Sequence, residues 1–476
     1  MTVSGVPPTI GGRNEPGAGA NGIKAAPTPS VALRARVPGT TSARVQPFGA
    51  DERLAVVVRV DPTFHRGALS EADSATLTAA ARLALEVRRP LVGVISTSGS
   101  DVTAGVAALH GWGGAARALV EASGVVPILF AVVGTALAGP ALLLGIADVV
   151  VMTDDAIAYL SGPAMVAQMT GLQVSPAELG GAAVHGRATG VAAQTVANEA
   201  EAVELLGHIL AFLPDHADTE PPPAARDDPP DRPTPELREV LPDRATGSYD
   251  VRTVIAALAD GGQFAELRGA WAPQLVTCLA WVDGHPIGIV ANQPLAMAGT
   301  LDIGAAQKGA RFVAFCDAFN LPIVTLVDTP GFMPGKDLEW RGMIRHGAQL
   351  VYAYAEASVP RVSVILRKAY GGAYIVMDSK TMGNDICLAW PSAEVAVMGA
   401  EGAVQILHRR QDADSRSRLV EEYRDAYLNP YVAAERGYVD RVIDPAETRA
   451  AVAASLRMLG SKREKLKARK HGNTPL

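Results

Sequence analysis

An internal repeat constrains the fold of this chain more than any other feature of the sequence. Two stretches of the first half return in the second half: residues 89–97 as 321–329, and residues 126–139 as 359–372. In the second of these pairs a glycine, Gly139 or Gly372, follows a proline, Pro127 or Pro360, by twelve residues. Self-similarity over so long a period indicates two copies of one structural unit.

Each copy alternates buried strands with helical patterns. The spacing of apolar residues predicts helices over residues 71–87 and 303–319. Short apolar runs predict strands at residues 54–60, 90–96, 275–282 and 322–328. Strands that alternate with helices are typical of βαβ units and a parallel sheet. The expected class is therefore α/β, with two tandem domains.

Two segments of biased composition divide the chain. Residues 1–47 are rich in Gly, Pro, Ala, Ser and Thr and show no hydrophobic period, which predicts a disordered tail. Residues 214–249 carry many prolines and acids and few apolar residues, which predicts an extended linker. The two domains are then expected at residues 48–213 and 250–476.

Charge and cysteine content argue against several classes of function. The formal net charge of −6 over 476 residues argues against nucleic acid or an anionic membrane surface as a partner. Cys278, Cys316 and Cys387 lie too far apart for a local metal site or a disulfide framework, so a reduced, cytoplasmic compartment is expected. The most apolar run, residues 125–152, is broken by prolines and Asp148 and does not have the pattern of a membrane span. The first residues contain no apolar stretch of signal-peptide type.

A glycine turn in the second copy is the first candidate site. A predicted strand at residues 362–366 runs into Gly371 and Gly372 and then into an apolar helix. The amide N–H groups of Gly372 and Ala373 would have no acceptor within that helix and would suit a developing negative charge. This predicts an oxyanion hole built from the backbone. A tight packing turn is the better explanation of this stretch by itself, but the matched Gly139 in the first copy favours paired anion sites.

Several motifs of the second half carry a resemblance to a known family. They are residues 291–294 (Ala-Asn-Gln-Pro), 327–335 (Val-Asp-Thr-Pro-Gly-Phe-Met-Pro-Gly), 367–374 (Arg-Lys-Ala-Tyr-Gly-Gly-Ala-Tyr) and 429–437 (Asn-Pro-Tyr-Val-Ala-Ala-Glu-Arg-Gly). On these motifs the chain resembles the carboxyltransferase (β) subunit of biotin-dependent acyl-CoA carboxylases, of the acetyl-/propionyl-CoA carboxylase type. The resemblance covers nearly all of residues 250–476 and is eroded over residues 50–213.

The resemblance implies a fold and an assembly. Each domain would be a crotonase-like (ClpP/crotonase) ββα superhelix, and six subunits would form a homohexamer of two stacked trimers. The N-terminal domain would bind acyl-CoA and the C-terminal domain would bind biotin, with the active site between neighbouring subunits. Biotin would arrive on a separate biotin carboxylase/biotin carrier α subunit, because nothing in this chain resembles a biotinylation motif. No metal is implied.

The resemblance also implies a reaction. A carboxyl group would pass from carboxybiotin to the α-carbon of acetyl-CoA or propionyl-CoA, giving malonyl-CoA or methylmalonyl-CoA for fatty acid or polyketide biosynthesis. The freed ureido nitrogen of biotin would take the α-proton, so no side chain would be needed as base. Two backbone oxyanion holes would be needed instead, one for the thioester enolate and one for the ureido oxygen.

The residues of this site follow from the same resemblance. Catalytic amides would come from Gly372 and Ala373 on the biotin side, and from Ala138 and Gly139 on the acyl side. The residues expected to bind biotin are Gly331, Phe332, Pro334 and Gly335. The residues expected to bind the acyl-CoA substrate are Tyr374, Ile375, Gly371, Gly99, His65 and Arg66.

The first half departs from the family pattern at three places. Asp101 stands where an arginine is usual, Ala104 where a glutamate is usual, and Pro140 where a second glycine is usual. Proline has no N–H. If the acyl-side donors are the repeat equivalents of the biotin-side donors, then Gly139 donates and Pro140 cannot. If the donors are Ala138 and Gly139, the hole survives, and both alternatives stay open.

Ile375 also leaves two interpretations open. Its position helps set acyl choice in the family, and an apolar side chain there suggests acetyl-CoA or a relaxed range of short acyl groups, while packing in the core explains it equally well. For the whole chain, the leading hypothesis is an active carboxyltransferase. The alternatives are a catalytically impaired scaffold paralogue in a mixed carboxylase complex, or a carboxyltransferase for an unusual acyl acceptor.

Overall fold

The computed structural model describes residues 31–33, 39–242, 244, 247–462, 464, 466 and 468–475. Each half of the chain builds one eight-stranded sheet, and elements are numbered here in chain order. Strands and helices alternate in both halves, as the α/β prediction requires.

The first sheet contains β1 (Val31–Leu33), β2 (Thr41–Phe48), β3 (Arg53–Val60), β4 (Leu91–Thr97), β5 (Ile128–Leu137), β6 (Val149–Thr153), β7 (Ile157–Tyr159) and β8 (Gln194–Val196). Its order is β1-β2-β3-β4-β5-β6-β8, with β7 paired to the end of β5. The helices of this half are α1 (Glu71–Val87), α2 (Val106–Ala122), α3 (Leu143–Ile146), α4 (Pro163–Thr170), α5 (Pro176–Gly180), α6 (Ala182–Val184) and α7 (Glu199–Leu210).

The second sheet contains β9 (Phe264–Glu266), β10 (Leu275–Val282), β11 (His285–Asn292), β12 (Ile323–Thr329), β13 (Arg361–Tyr370), β14 (Ile386–Ala389), β15 (Glu394–Ala396) and β16 (Arg441–Val442). Its order repeats that of the first, β9-β10-β11-β12-β13-β14-β16, with β15 paired to the end of β13. The helices of this half are α8 (Val251–Leu258), α9 (Ile303–Ala318), α10 (Lys336–Trp340), α11 (Met343–Glu356), α12 (Gly371–Val376), α13 (Ala400–Leu407), α14 (Ala413–Tyr427), α15 (Pro430–Glu435) and α16 (Thr448–Leu459).

The repeat extends to an irregularity in the strands. Between β4 and β5 the pairing register shifts just before the pair Thr97 and Ala136. Between β12 and β13 it shifts at the equivalent place, just before the pair Thr329 and Ala369. A bulge of this kind bends a strand and re-aims the residues that follow it. The duplication predicted from sequence is confirmed, and in both copies the bulge precedes the glycine turn.

Local sequence explains the elements around these strands. Strands β4 and β12 are buried along their whole length, which accounts for their continuous apolar runs. Helix α1 begins at a capping box in which Ser70 and Asp73 satisfy each other's backbone amides. The Asp73 carboxylate also accepts the amide of Thr41 at 2.8 Å, which anchors the start of β2.

The predicted tail was wrong at its end. Residues 41–47, placed in a disordered tail, form most of β2 and pair with β3 from Thr41 opposite Val60 to Phe48 opposite Arg53. The sequence pattern concealed this strand because few of its residues are apolar. The strand is stabilised instead by its pairing with β1 and β3. Residues 1–30 and 34–38 of the predicted tail lie outside the described residues.

The proline-rich segment at residues 214–249 is irregular but packed. Its backbone amides reach both halves: Ala217 donates to the carbonyl of Val125 at 2.9 Å, and Ala224 donates to that of Gly284 at 2.8 Å. Thr234 is fully buried. The division into domains at this segment stays a prediction.

The two halves share a hydrophobic core. One cluster joins Val92 and Leu129 of the first sheet to Phe312 and Phe319 of the second half. Phe212 stacks on Trp281 across the same boundary, with ring centroids 3.6 Å apart. In the described part of the chain no helix is both long and apolar enough to span a membrane.

Candidate active site

The biotin-side turn lies at the end of β13. Gly371 has φ of +59°, and a β-carbon there would approach the carbonyl oxygen of Val397 to 3.1 Å. Glycine is therefore required both by conformation and by space. The amides of Gly372 and Ala373 lie in the first turn of α12, where N–H groups have no acceptor within the helix.

The loop after β12 forms the wall opposite this turn. The carbonyl of Gly331 accepts the amide of Leu301 at 3.1 Å, which holds the loop against the segment before α9. A β-carbon on Gly372 would lie 3.7 Å from the ring of Phe332. Pro334 and Gly335 follow, exposed, at the start of α10. The structure thus brings Phe332 beside Gly372, while Gly331, Pro334 and Gly335 lie in the same loop.

A cavity of about 590 Å³ opens beside the turn. Gly371, Gly372, Tyr374 and Ile375 line one side, and aromatic side chains including Tyr438 line the other. Ile375 is 40% exposed, whereas Tyr374 is buried. Core packing therefore does not explain Ile375, because its side chain faces the cavity. Burial raises the pKa of Tyr374, so its hydroxyl stays protonated at neutral pH.

A buried carboxylate fixes the strand ends that precede both loops. Asp328 accepts the amide of Lys368 at 3.1 Å and pairs with the guanidinium of Arg367 at 3.0 Å. Burial raises the pKa of Asp328, and the charge of Arg367 opposes that shift. The place of Asp328 directly before the 329–335 loop is a sequence signal for a role in positioning this site.

The acyl-side turn lies at the end of β5. Ala138 has φ of +59°, the same value as Gly371, and a short 3₁₀ helix over residues 139–142 follows it. The amide of Ala138 donates to the carbonyl oxygen of Tyr159 at 2.9 Å. The predicted role of Ala138 as an oxyanion donor does not fit this geometry, because its N–H is already engaged in extending the β5–β7 ladder. Of the two expected donors, Gly139 is the one whose amide N–H has no acceptor among the described residues.

An aromatic ring packs against the acyl-side turn. A β-carbon on Gly139 would lie 2.9 Å from the ring of Trp112, so the position requires glycine. The indole nitrogen of Trp112 is buried and has no hydrogen-bond partner among the described residues. The ring seals the turn on the side of α2.

The other predicted acyl-CoA residues gather at the same edge of the first sheet. Gly99 has φ of +105°, and a β-carbon there would lie 3.2 Å from the side chain of Ala138. His65 and Arg66 are exposed in a left-handed turn, and the carbonyl of Arg66 accepts the amide of Ser98 at 3.1 Å. The structure therefore places His65, Arg66 and Gly99 next to the turn that begins at Ala138.

Asp101 faces its own backbone. Its carboxylate accepts the amide of Thr103 at 2.9 Å and the hydroxyl of Thr103 at 2.7 Å, which caps a short 3₁₀ helix. These hydrogen bonds lower the pKa of Asp101. Ala104 ends the same short helix.

Within the described residues, no group of three or more His, Cys, Asp or Glu side chains is arranged to hold a metal ion.

Comparisons with known proteins agree with this arrangement. The family model of the carboxyl transferase domain matches residues 50–474. The chain is 44% identical over 433 residues to the propionyl-CoA carboxylase carboxyltransferase subunit of Haloferax mediterranei, covering 90% of this chain and 84% of the relative. It is 45% identical over 446 residues to the propionyl-CoA carboxylase β chain of Saccharopolyspora erythraea, covering 90% and 82%.

A solved structure is similar throughout. A crystal structure of transcarboxylase 12S, described as a hexamer assembly with methylmalonyl-coenzyme A and methylmalonic acid bound, superposes with a TM-score of 0.90 at 39% identity. The match covers 92% of this chain and 85% of that chain. The crotonase-like α/β fold expected from sequence is confirmed.

Proposed function

The chain belongs to the carboxyl transferase family, and from that premise we propose that it moves a carboxyl group between biotin and a short acyl-CoA. The proposed acceptors are propionyl-CoA and acetyl-CoA, which become methylmalonyl-CoA and malonyl-CoA. The observation that carries the proposal is the duplicated turn, because the equivalent strands β5 and β13 are each followed by a residue with φ of +59°, Ala138 or Gly371.

The biotin side fits the group it would receive. A ureido bicycle is compact, and the cavity of about 590 Å³ beside Gly372 is lined by aromatic and apolar side chains together with Lys380 and Arg436. Tyr374 and Ile375, which are expected to contact the acyl group, form part of one wall, and Phe332 lies against the turn. The amides of Gly372 and Ala373 supply two donors for the ureido oxygen. Removing one donor of this kind costs roughly 10²–10³ in rate.

On the acyl side the chain positions the thioester. Gly139 donates its amide to the thioester oxygen, and His65, Arg66 and Gly99 border the entry. When bound, carboxybiotin would supply the carboxyl group that replaces hydrogen on the α-carbon and would provide the acceptor for the displaced proton. No side chain of this chain is needed as base.

The proposal includes an assembly. The similar transcarboxylase 12S is described as a hexamer, and we propose the same ring of six for this chain. The biotin would be carried by a biotin carboxylase/biotin carrier α subunit. Cys278, Cys316 and Cys387 are all free and buried, which is typical of a reducing compartment, so we place the complex in the cytoplasm.

The test is reconstitution with labelled bicarbonate. Purified chain, a biotinylated α subunit and ATP are expected to fix label into propionyl-CoA or acetyl-CoA. The α subunit is first shown to be competent with another β-type subunit. Absence of label with every short acyl-CoA would then overturn the proposal.

Pro140 favours one alternative, an impaired paralogue that occupies places in a mixed ring. In that case the chain would co-purify only with an intact β-type subunit. A homohexamer that binds acyl-CoA by itself contradicts this alternative.

A further inference from the structure

We propose that Pro140 is a specificity-determining residue of the acyl side, because it leaves that turn with one amide donor where the biotin side has two. The turn would then disfavour saturated acyl thioesters relative to acyl groups that delocalise an α-carbanion within themselves. This inference rests on the proposed carboxyl transfer and deepens it by naming a substrate class.

The structure itself aligns the two turns. Ala138 and Gly371 share φ of +59° at the end of equivalent strands, β5 and β13. The last paired residue of β5, Leu137, lies opposite the end of β7, just as Tyr370 lies opposite the end of β15. Pro140 therefore occupies the position of Ala373, the second biotin-side donor.

Among the described residues, the other backbone and hydroxyl donors around the turn are already engaged. The amide of Ala138 is donated to Tyr159 at 2.9 Å. The hydroxyl of Thr135 donates to the carbonyl of Thr97 at 3.0 Å, and the hydroxyl of Thr97 accepts the amide of Gly99 at 3.1 Å. The indole nitrogen of Trp112 is buried without a partner among the described residues and would lie 3.1 Å from a β-carbon on Gly139, on the α2 side of the turn. Of the described backbone amides from Ala138 to Ala141, that of Gly139 is left without an acceptor, because Ala141 donates to the carbonyl of Ala138 at 3.0 Å.

The structure of the acyl group determines how much the missing N–H of Pro140 slows the reaction. In the enolate of a saturated acyl thioester, the negative charge resides mainly on the thioester oxygen, where a second N–H would stabilise it. Loss of such a donor corresponds to roughly 10²–10³ in rate. When the α-carbon is allylic or benzylic, part of the negative charge is delocalised into the acyl group. The thioester oxygen then carries less charge for the backbone N–H groups to stabilise. The penalty from Pro140 is then smaller.

Two acyl-CoAs of equal carbon count isolate this effect. Butyryl-CoA has a saturated chain, whereas but-3-enoyl-CoA has an allylic α-carbon. In the complete complex, Pro140→Gly is expected to raise kcat/KM for butyryl-CoA about 10²-fold. For but-3-enoyl-CoA the expected gain is less than about tenfold, because its oxygen carries less charge.

The repeat supplies a mirror variant. Ala373→Pro removes the equivalent donor on the biotin side and is expected to slow both acyl-CoAs by the same factor. Pro176, at the first position of α5 and outside the site, provides the control, since Pro176→Ala should leave both rates unchanged. Thermal denaturation establishes that each variant is folded.

A binding measurement checks the oxyanion directly. A CoA nitronate, which places full negative charge where the enolate oxygen forms, is titrated calorimetrically without biotin. Pro140→Gly is expected to bind it at least about tenfold more tightly, with affinity for CoA itself unchanged.

The outcomes separate the two proposals. If the wild type carboxylates acyl-CoA but Pro140→Gly changes neither the rates nor nitronate binding, this inference is wrong and the carboxyl transfer stands. Equal gains for butyryl-CoA and but-3-enoyl-CoA also overturn the claim about specificity. If wild type and Pro140→Gly are both inactive with every acyl-CoA, the carboxyl transfer fails and this inference fails with it.

Discussion

At the scale of single residues, the two turns differ in which residue adopts an unfavourable backbone conformation. Gly371 and Ala138 share φ of +59°, and the ψ of Ala138 is −150°. This region is accessible almost only to glycine and costs a residue with a β-carbon about 1–3 kcal/mol. The first copy has kept the turn while losing the residue type suited to it.

Ala138→Gly should therefore stabilise the protein. We expect the free energy of unfolding to rise by about 1 kcal/mol, because relief of strain exceeds the added chain entropy of glycine. Urea denaturation measures it. The mirror variant Gly371→Ala should instead lower the free energy of unfolding. A less stable Ala138→Gly would show that the conformation carries no strain.

At the scale of elements, Asp328 joins the ends of β12 and β13 where the register shifts. Its carboxylate holds Arg367 and the amide of Lys368, three residues before Gly371. The first copy uses a hydroxyl instead, since Ser96 accepts the amide of Thr135 at 3.4 Å. Among the described residues, a charged pair fixes the biotin-side bulge and a hydroxyl contacts the acyl-side bulge.

Asp328→Asn should destabilise the protein. The substitution leaves the guanidinium of Arg367 buried without its counter-charge, and we expect the free energy of unfolding to fall by about 3 kcal/mol. We also expect kcat to fall more than the affinity for acyl-CoA, since the bulge positions the biotin-side turn. Denaturation and steady-state kinetics measure the two effects.

Ser96→Ala in the first copy is the matched control and should cost about 1 kcal/mol, since a single neutral hydrogen bond is lost. Similar losses for the two variants would show that the charge of Asp328 contributes nothing beyond a hydrogen bond.

At the scale of the whole molecule, a buried acid lies where the two halves meet. Asp148 accepts the amide of Ile128 at 2.9 Å, and Arg311 of the second half approaches its carboxylate to 3.6 Å. Burial raises the pKa of Asp148 to about 6, against the opposing charges of Arg311 and Arg268. The folded state therefore holds a proton on Asp148 that the unfolded chain releases at lower pH.

This acid should make stability depend on pH. Its contribution is fully present below the unfolded pKa near 3.8 and is lost as pH rises through about 6. Asp148→Asn, which keeps an acceptor for Ile128, should remove that part of the slope. At pH 8 the variant should exceed the wild type by about 1–3 kcal/mol in free energy of unfolding. Denaturation from pH 5 to 8 measures it, and a gap that narrows with rising pH would contradict the assignment.

Much of the fold could be predicted because its signals are local. Helix α1 and strand β10 have the predicted bounds of 71–87 and 275–282, since each carries its own apolar period and turn residues. Strand β2 was missed because few of its eight residues are apolar, although its partner β3 begins only five residues after β2 ends. The exposure of Ile375 was equally beyond a local pattern, since a cavity wall depends on residues from α14 and α15.

The sequence by itself determined the duplication, the family and the missing N–H of Pro140, because these are fixed by residue identity and covalent structure. Tertiary structure alone supplies the geometry on which a choice between the two acyl-side alternatives rests. Ala138 has an N–H in any conformation, but only the pairing of β5 with β7 commits that N–H to Tyr159. Whether a backbone N–H is free depends on acceptors that the fold brings from elsewhere in the chain. At the acyl-side turn this leaves the amide of Gly139 as the candidate donor.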